Sequence, residues 1–233
     1  RLQDAATGTN TVFWDYPPDH PKWGHGWGGA LDDRRGWDVE YTLSVIERTP
    51  KSAKIRLSSP RFENGLTIEK TITLRDGASL LDVEYRYRND GQAEMKGYDV
   101  AIRNFFRPSG GPPDWKNERA FIPTVKTVRE IGLNQEYPEL QSKFMTEVIP
   151  TWNGFIDTKR GLGLAFSFED DFYRWLYRWI KDESATYEWT FGPLPAGKEA
   201  VTHFTIALTH GLDGYTDVAR TYASRLILSG SDP

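Results

Sequence analysis

LTIEKTITLRDGASLLDVEYRYRNDGQAEMKGYDVAIRNFFRPSG, residues Leu66 to Gly110, is the stretch whose reading decides the fold. Leu66, Ile68, Ile72 and Leu74 alternate with Thr67, Glu69, Thr71 and Thr73, the period of two of a strand with one buried face. Asp76-Gly77 then supplies residues that tolerate positive φ in a tight hairpin. The next strand places Leu81, Val83, Tyr85 and Tyr87 on one face and Asp82, Glu84, Arg86 and Arg88 on the other, before Asn89-Asp90-Gly91 turns the chain. Glu69 and Lys70 are expected to pair with those outward charges. A third strand from Gly97 to Phe106 is expected beside the second, and the prolines and glycines from Pro108 to Pro113 end it.

Outward from this meander the same signals recur. Trp37–Glu47 and Ala53–Leu57 read as strands upstream; Ala120–Ile122, Thr146–Phe155, Leu162–Phe168, Tyr187–Phe191 and Val201–Leu208 read as strands downstream. In Phe172–Ile180 the set Tyr173, Trp175, Tyr177 and Trp179 fits one strand face, whereas Phe172, Trp175, Leu176, Trp179 and Ile180 would fit a helix; aromatic enrichment favours the strand. Asp213–Leu226 carries Val218, Ala219, Tyr222 and Leu226 on one stripe and predicts a terminal helix capped by Asp213. With no internal repeat and no shift in composition, the expectation is one all-β domain over residues 1–233, a sandwich with a C-terminal helix packed outside it.

Composition narrows the partners. The chain has 233 residues, 38% hydrophobic and 14% aromatic, with a formal net charge of −4 and no block of Lys or Arg, which argues against nucleic acid and anionic membrane. No run approaches the ~18 apolar residues of a membrane span. With no cysteine, thiolate catalysis and cysteine-ligated zinc are out. The histidines are scattered and no alternating Asp/Asn calcium loop occurs, so neither a metal nor another cofactor is expected. The first residue, Arg1, reads as the product of processing or excision from something longer, which favours an extracellular or cell-surface setting. Nine Trp are the most informative figure, because sugar rings stack their C–H faces on indole while Arg, Asn, Asp and His bind their hydroxyls.

Three places resemble one family. The opening Arg1-Leu2-Gln3-Asp4-Ala5-Ala6-Thr7-Gly8, the loop Gly24-His25-Gly26-Trp27-Gly28-Gly29 with Asp32, Asp33 and Trp37 downstream, and Leu81–Asn89 followed by Arg103-Asn104-Phe105-Phe106-Arg107-Pro108-Ser109-Gly110 are similar to motifs of the galactose mutarotase-like (aldose 1-epimerase) superfamily. The resemblance implies a β-supersandwich binding sugar in a groove on its concave sheet. It also implies that Arg103 stands where family epimerases carry the histidine held to protonate the ring oxygen. A guanidinium with a pKa above ~12 does not trade a proton at neutral pH, so Arg103 grips hydroxyls or an anion instead.

Candidate site residues follow. His25, in a Gly-flanked loop, is the candidate proton-transferring residue, and Glu147 and Glu188 are the late carboxylates available as an anomeric base. Trp27, Asp32, Asp33, Arg103, Asn104, Trp152, Trp175 and His203 are the candidate saccharide contacts. Asp32-Asp33 and Glu169-Asp170-Asp171 are acidic pairs, but neighbours in a strand point to opposite faces. Three functions compete: a carbohydrate-binding domain without epimerase chemistry, an aldose 1-epimerase-like isomerase acting on a hexose or anionic sugar, and a polysaccharide lyase or accessory domain of a polysaccharide-active enzyme.

Overall fold

The computed structural model describes residues 32–33, 39–78, 80–97, 100–105, 116–132, 151–169, 175–181, 184–190, 193–215, 217–219 and 222–224; residues 32–33, 103–105, 175–181, 184–190, 219 and 222–224 are described through their backbone. Among them every regular element longer than a turn is a strand. In chain order these are β1 (Asp32–Asp33), β2 (Thr42–Arg48), β3 (Ser52–Ser58), β4 (Leu66–Arg75), β5 (Leu80–Asn89), β6 (Ala101–Phe105), β7 (Glu118–Pro123), β8 (Val128–Gly132), β9 (Trp152–Asp157), β10 (Leu162–Phe168), β11 (Trp175–Lys181), β12 (Ser184–Thr190), β13 (Glu199–His210), β14 (Asp217–Ala219) and β15 (Tyr222–Ser224). A nine-stranded sheet runs β2-β3-β4-β5-β13-β10-β9-β7-β8, a four-stranded sheet runs β1-β6-β12-β11, and β14 pairs with β15. All pairings are antiparallel, and the fold is a β-sandwich.

The alternation read at Leu66–Tyr87 becomes the two faces of the large sheet. Leu66, Ile68, Val83, Tyr85 and Tyr87 are buried, as are Phe204 and Ile206 across β13 and Phe166 and Phe168 on β10. Tyr85 stacks on Phe204 at 6.0 Å between ring centroids, and Phe168 lies 5.7 Å from Phe204. Ile102 of β6 belongs to the same apolar cluster, so the four-stranded sheet lies over this face. Burying a side chain of this size contributes about 1.5–3 kcal/mol. Lys70 departs from its expected outward pairing: it falls on the inward parity opposite Tyr85, is 7% exposed, and sets its ammonium 4.5 Å from the Tyr41 ring centroid. Glu69 does oppose Arg86.

Two expectations are corrected. β6 does not extend the meander of β4 and β5 but joins the opposite sheet between β1 and β12. The crossing is built by Asn89, which is fully buried, donates Nδ2 to Ala93 O and Leu194 O at 2.9 Å each, and accepts Gly91 N on Oδ1 at 2.9 Å. Met95 then makes a two-bond bridge to Leu194, and Met95, Val100 and Leu194 are buried between the sheets. The chain needs glycine here, because a Cβ on Gly65, at φ 88°, would sit 2.3 Å from Gly91 N. The helix expected over Asp213–Leu226 is instead the pair β14 and β15, with Val218 opposite Ala223. Tyr215 and Val218 both reach the outer face of the large sheet, where they are buried with Phe121, Trp152, Ile156, Ala165 and Ala207.

Candidate functional site

The four-stranded sheet gathers sequence-distant residues by register. Asp32 of β1 opposes Arg103 of β6, Arg103 opposes Glu188 of β12, and Glu188 opposes Tyr177 of β11. Directly opposed positions of an antiparallel sheet share a face, so Asp32, Arg103, Glu188 and Tyr177 form one row. Neighbouring rows on that face are Ala101, Thr190 and Trp175 on one side and Phe105, Thr186 and Trp179 on the other. The opposite parity carries Ile102, Trp189 and Leu176, and Ile102 packs in the apolar cluster of the nine-stranded sheet, which assigns that parity to the core between the sheets; Ala101, on the row's own face, is buried as well. The row therefore occupies the face turned away from the nine-stranded sheet.

The strand alternation separates the adjacent candidates. Asp33 opposes Ile102, and Asn104 opposes Tyr187 on the Ile102 parity, so neither shares the row with Asp32 and Arg103. Trp175 lies on the row's face, one row along. Tyr177, Trp179, Thr186 and Thr190 were not among the candidates read from sequence; the alternation of Trp175, Tyr177 and Trp179 was the signal, used there only to choose strand over helix. His25, Trp27 and Glu147 lie outside the described residues.

His203 belongs elsewhere. It lies on β13, directly opposite Glu84, and Nε2 donates to Glu84 Oε2 at 3.1 Å. Lys54, Thr71, Thr73, Arg75, Asp82 and Glu169 surround the pair in a shallow cleft of about 120 Å³ on the outer face of the nine-stranded sheet. Arg75 pairs with Asp82 and Arg86 with Glu199 across strands, and Arg86 with Glu84 along β5, so these partners neutralise much of the charge here. Among the described residues no three His, Asp or Glu side chains are disposed to hold a metal ion.

Trp152 is also repositioned. It is 4% exposed within the second apolar cluster, so its indole serves the core and not a groove. The anchor of that cluster is Tyr215, fully buried, edge-on to Phe121 at 5.6 Å and hydrogen-bonded to the Thr209 hydroxyl. Burial pushes its phenol well above the ordinary tyrosine range, an effect that the Thr209 bond only partly offsets. Its ring fills a notch over Gly154 and Gly163, where an added Cβ would lie 2.2 Å from the ring carbon Cδ2 and 2.2 Å from the hydroxyl oxygen respectively.

No family model and no curated protein matches the chain. Solved structures similar to it include a TPR-domain containing protein from Parabacteroides distasonis, with a TM-score of 0.58 and 15% identity over 100% of this chain and 46% of that one. Another is the GH36 α-galactosidase AgaA from Geobacillus stearothermophilus, a variant in complex with stachyose, with a TM-score of 0.50 and 13% identity over 74% of this chain and 28% of that one. A galactose mutarotase related enzyme from Lactobacillus acidophilus aligns at a TM-score of 0.43 with 12% identity over 73% of each chain, too distant to argue from. The chain thus spans less than half of the length of the first two, and at these identities the likeness is one of fold.

Proposed function

We propose that this chain is a single β-sandwich domain of the galactose mutarotase-like type that binds carbohydrate without the standard epimerase chemistry. The observation that carries the reading is the register row of Asp32, Arg103, Glu188 and Tyr177, flanked by Trp175 and Trp179. Hydroxyl-binding carboxylates and a guanidinium next to aromatic platforms are the chemistry a sugar demands, since its edges are polar and its ring faces are apolar. A fold shared with a stachyose-bound α-galactosidase supports the same direction. Arg103 at the position of the family's general acid supports binding over turnover, because general acid catalysis typically supplies about 10²–10⁴-fold and a permanent cation does not deliver it.

A second reading, an aldose 1-epimerase-like isomerase, draws on one specific fact: Glu188, a late carboxylate, directly opposes Arg103. Titration of mono- and oligosaccharides, with polarimetry of freshly dissolved α-sugars alongside, separates the two. Binding that falls about 10- to 100-fold in Arg103→Ala, as expected for losing hydrogen bonds from a charged group, with no accelerated mutarotation, supports the binding domain. Rapid anomer equilibration lost in Glu188→Gln transfers the assignment to the isomerase.

A further inference from the structure

Trp175, Tyr177 and Trp179 occupy successive positions of one face of β11, and among the described residues β11 is the border strand of the four-stranded sheet. With a rise of about 3.4 Å per residue, successive aromatic positions stand about 6.8 Å apart and the outer two about 14 Å apart. This stripe runs along the strand, whereas the row from Asp32 to Tyr177 runs across it and meets it at the middle aromatic. Thr190 opposes Trp175 and Thr186 opposes Trp179, so each outer aromatic has a hydroxyl residue at the adjoining position. Leu176, Arg178 and Ile180 occupy the other parity of β11, the one that Ile102 links to the core between the sheets.

We infer that the ligand of this face is a chain-form glycan, with several pyranose units lying along β11, and not a free monosaccharide. This rests on the carbohydrate reading above and adds the size of the ligand to it. One pyranose ring covers one aromatic platform, so a single sugar uses one position of three. A chain places a central unit at Tyr177, where Glu188, Arg103 and Asp32 follow in the row, and flanking units on Trp175 and Trp179. The polar row selects the central unit, and the outer aromatics add affinity with little demand on ring substituents.

The test is calorimetric titration of the full chain with galactose, glucose and mannose and with di-, tri-, tetra- and hexasaccharides of each series. The expected result is an affinity that rises at least about 10-fold from monosaccharide to tri- or tetrasaccharide in the series that binds, then levels off. Trp175→Ala and Trp179→Ala should each weaken the tetrasaccharide about 3- to 10-fold, and weaken it more than they weaken the monosaccharide. Trp175→Phe and Trp179→Phe, which keep an aromatic platform, should retain most of the gain and so separate stacking from folding defects. Equal affinity for monosaccharide and tetrasaccharide overturns the chain-form ligand and leaves the carbohydrate reading standing. No binding of any saccharide by a protein with a cooperative melt overturns both.

Discussion

Two polar rows cross this molecule, and as residue lists they look alike. On the small sheet stand Asp32, Arg103, Glu188 and Tyr177; on the outer face of the large sheet stand Arg56, Thr71, Glu84 and His203, equally in register. They differ in what adjoins them. The rows beside Glu84 and His203 bring Lys54, Thr73, Asp82 and Thr205 on one side and Ser58, Glu69 and Arg86 on the other, and the charges there find partners on neighbouring strands, Asp82 with Arg75 and Arg86 with Glu199. The rows beside Arg103 and Glu188 bring Trp175 and Trp179, on the parity opposite to that of Ile102. Polar residues outside a sheet need no special explanation; large aromatics on the face away from the core do.

The largest expected effect tests the common support of both rows. Phe204, 1% exposed, contacts the rings of Tyr85 and Phe168, and Phe204→Ala should cost about 3–5 kcal/mol. Chemical denaturation measures this. A loss below 1 kcal/mol would mean that the two sheets do not share the core described above.

A smaller loss is expected at the notch under Tyr215. Gly154→Ala forces a Cβ into the Tyr215 ring and should cost about 1–3 kcal/mol through overpacking. Saccharide affinity of the folded fraction should stay unchanged, since Tyr215 packs on the outer face of the large sheet. A coupled loss of binding would show that segment 212–218 and the small-sheet row are linked.

The smallest effect sharpens the comparison most. His203→Ala removes a part-exposed cross-strand pair, and such pairs are worth at most about 1 kcal/mol. Its saccharide affinity should match that of the unmodified chain, in contrast to Arg103→Ala. If His203→Ala abolished binding instead, the cleft beside Glu84 would be the site and the row on the small sheet would not.

Local pattern determined a good part of this protein. The alternation at Leu66–Leu74 and Leu81–Tyr87, the Asp76-Gly77 hairpin with Gly77 at φ 70°, and the run Leu162–Phe168 were legible because a period of two and a turn that needs positive φ are properties of neighbouring residues. The strand choice for Trp175–Ile180 rested on the same alternation. Which sheet a strand joins was not legible. β6 reads like the next strand of a meander, and only the buried Asn89 and the Met95–Leu194 bridge send it across the sandwich. Segment 213–226 carries a stripe compatible with a helix, but Tyr215 fills the notch over Gly154 and Gly163 and the residues after it pair as the strands β14 and β15. Asp32, Arg103, Glu188 and Tyr177 span 157 positions of sequence, 188 minus 32 plus the first, and meet only through register. Residue types state what a side chain is able to bind; long-range pairing decides which of them stand together, because hydrogen-bond register is set between strands and not within them.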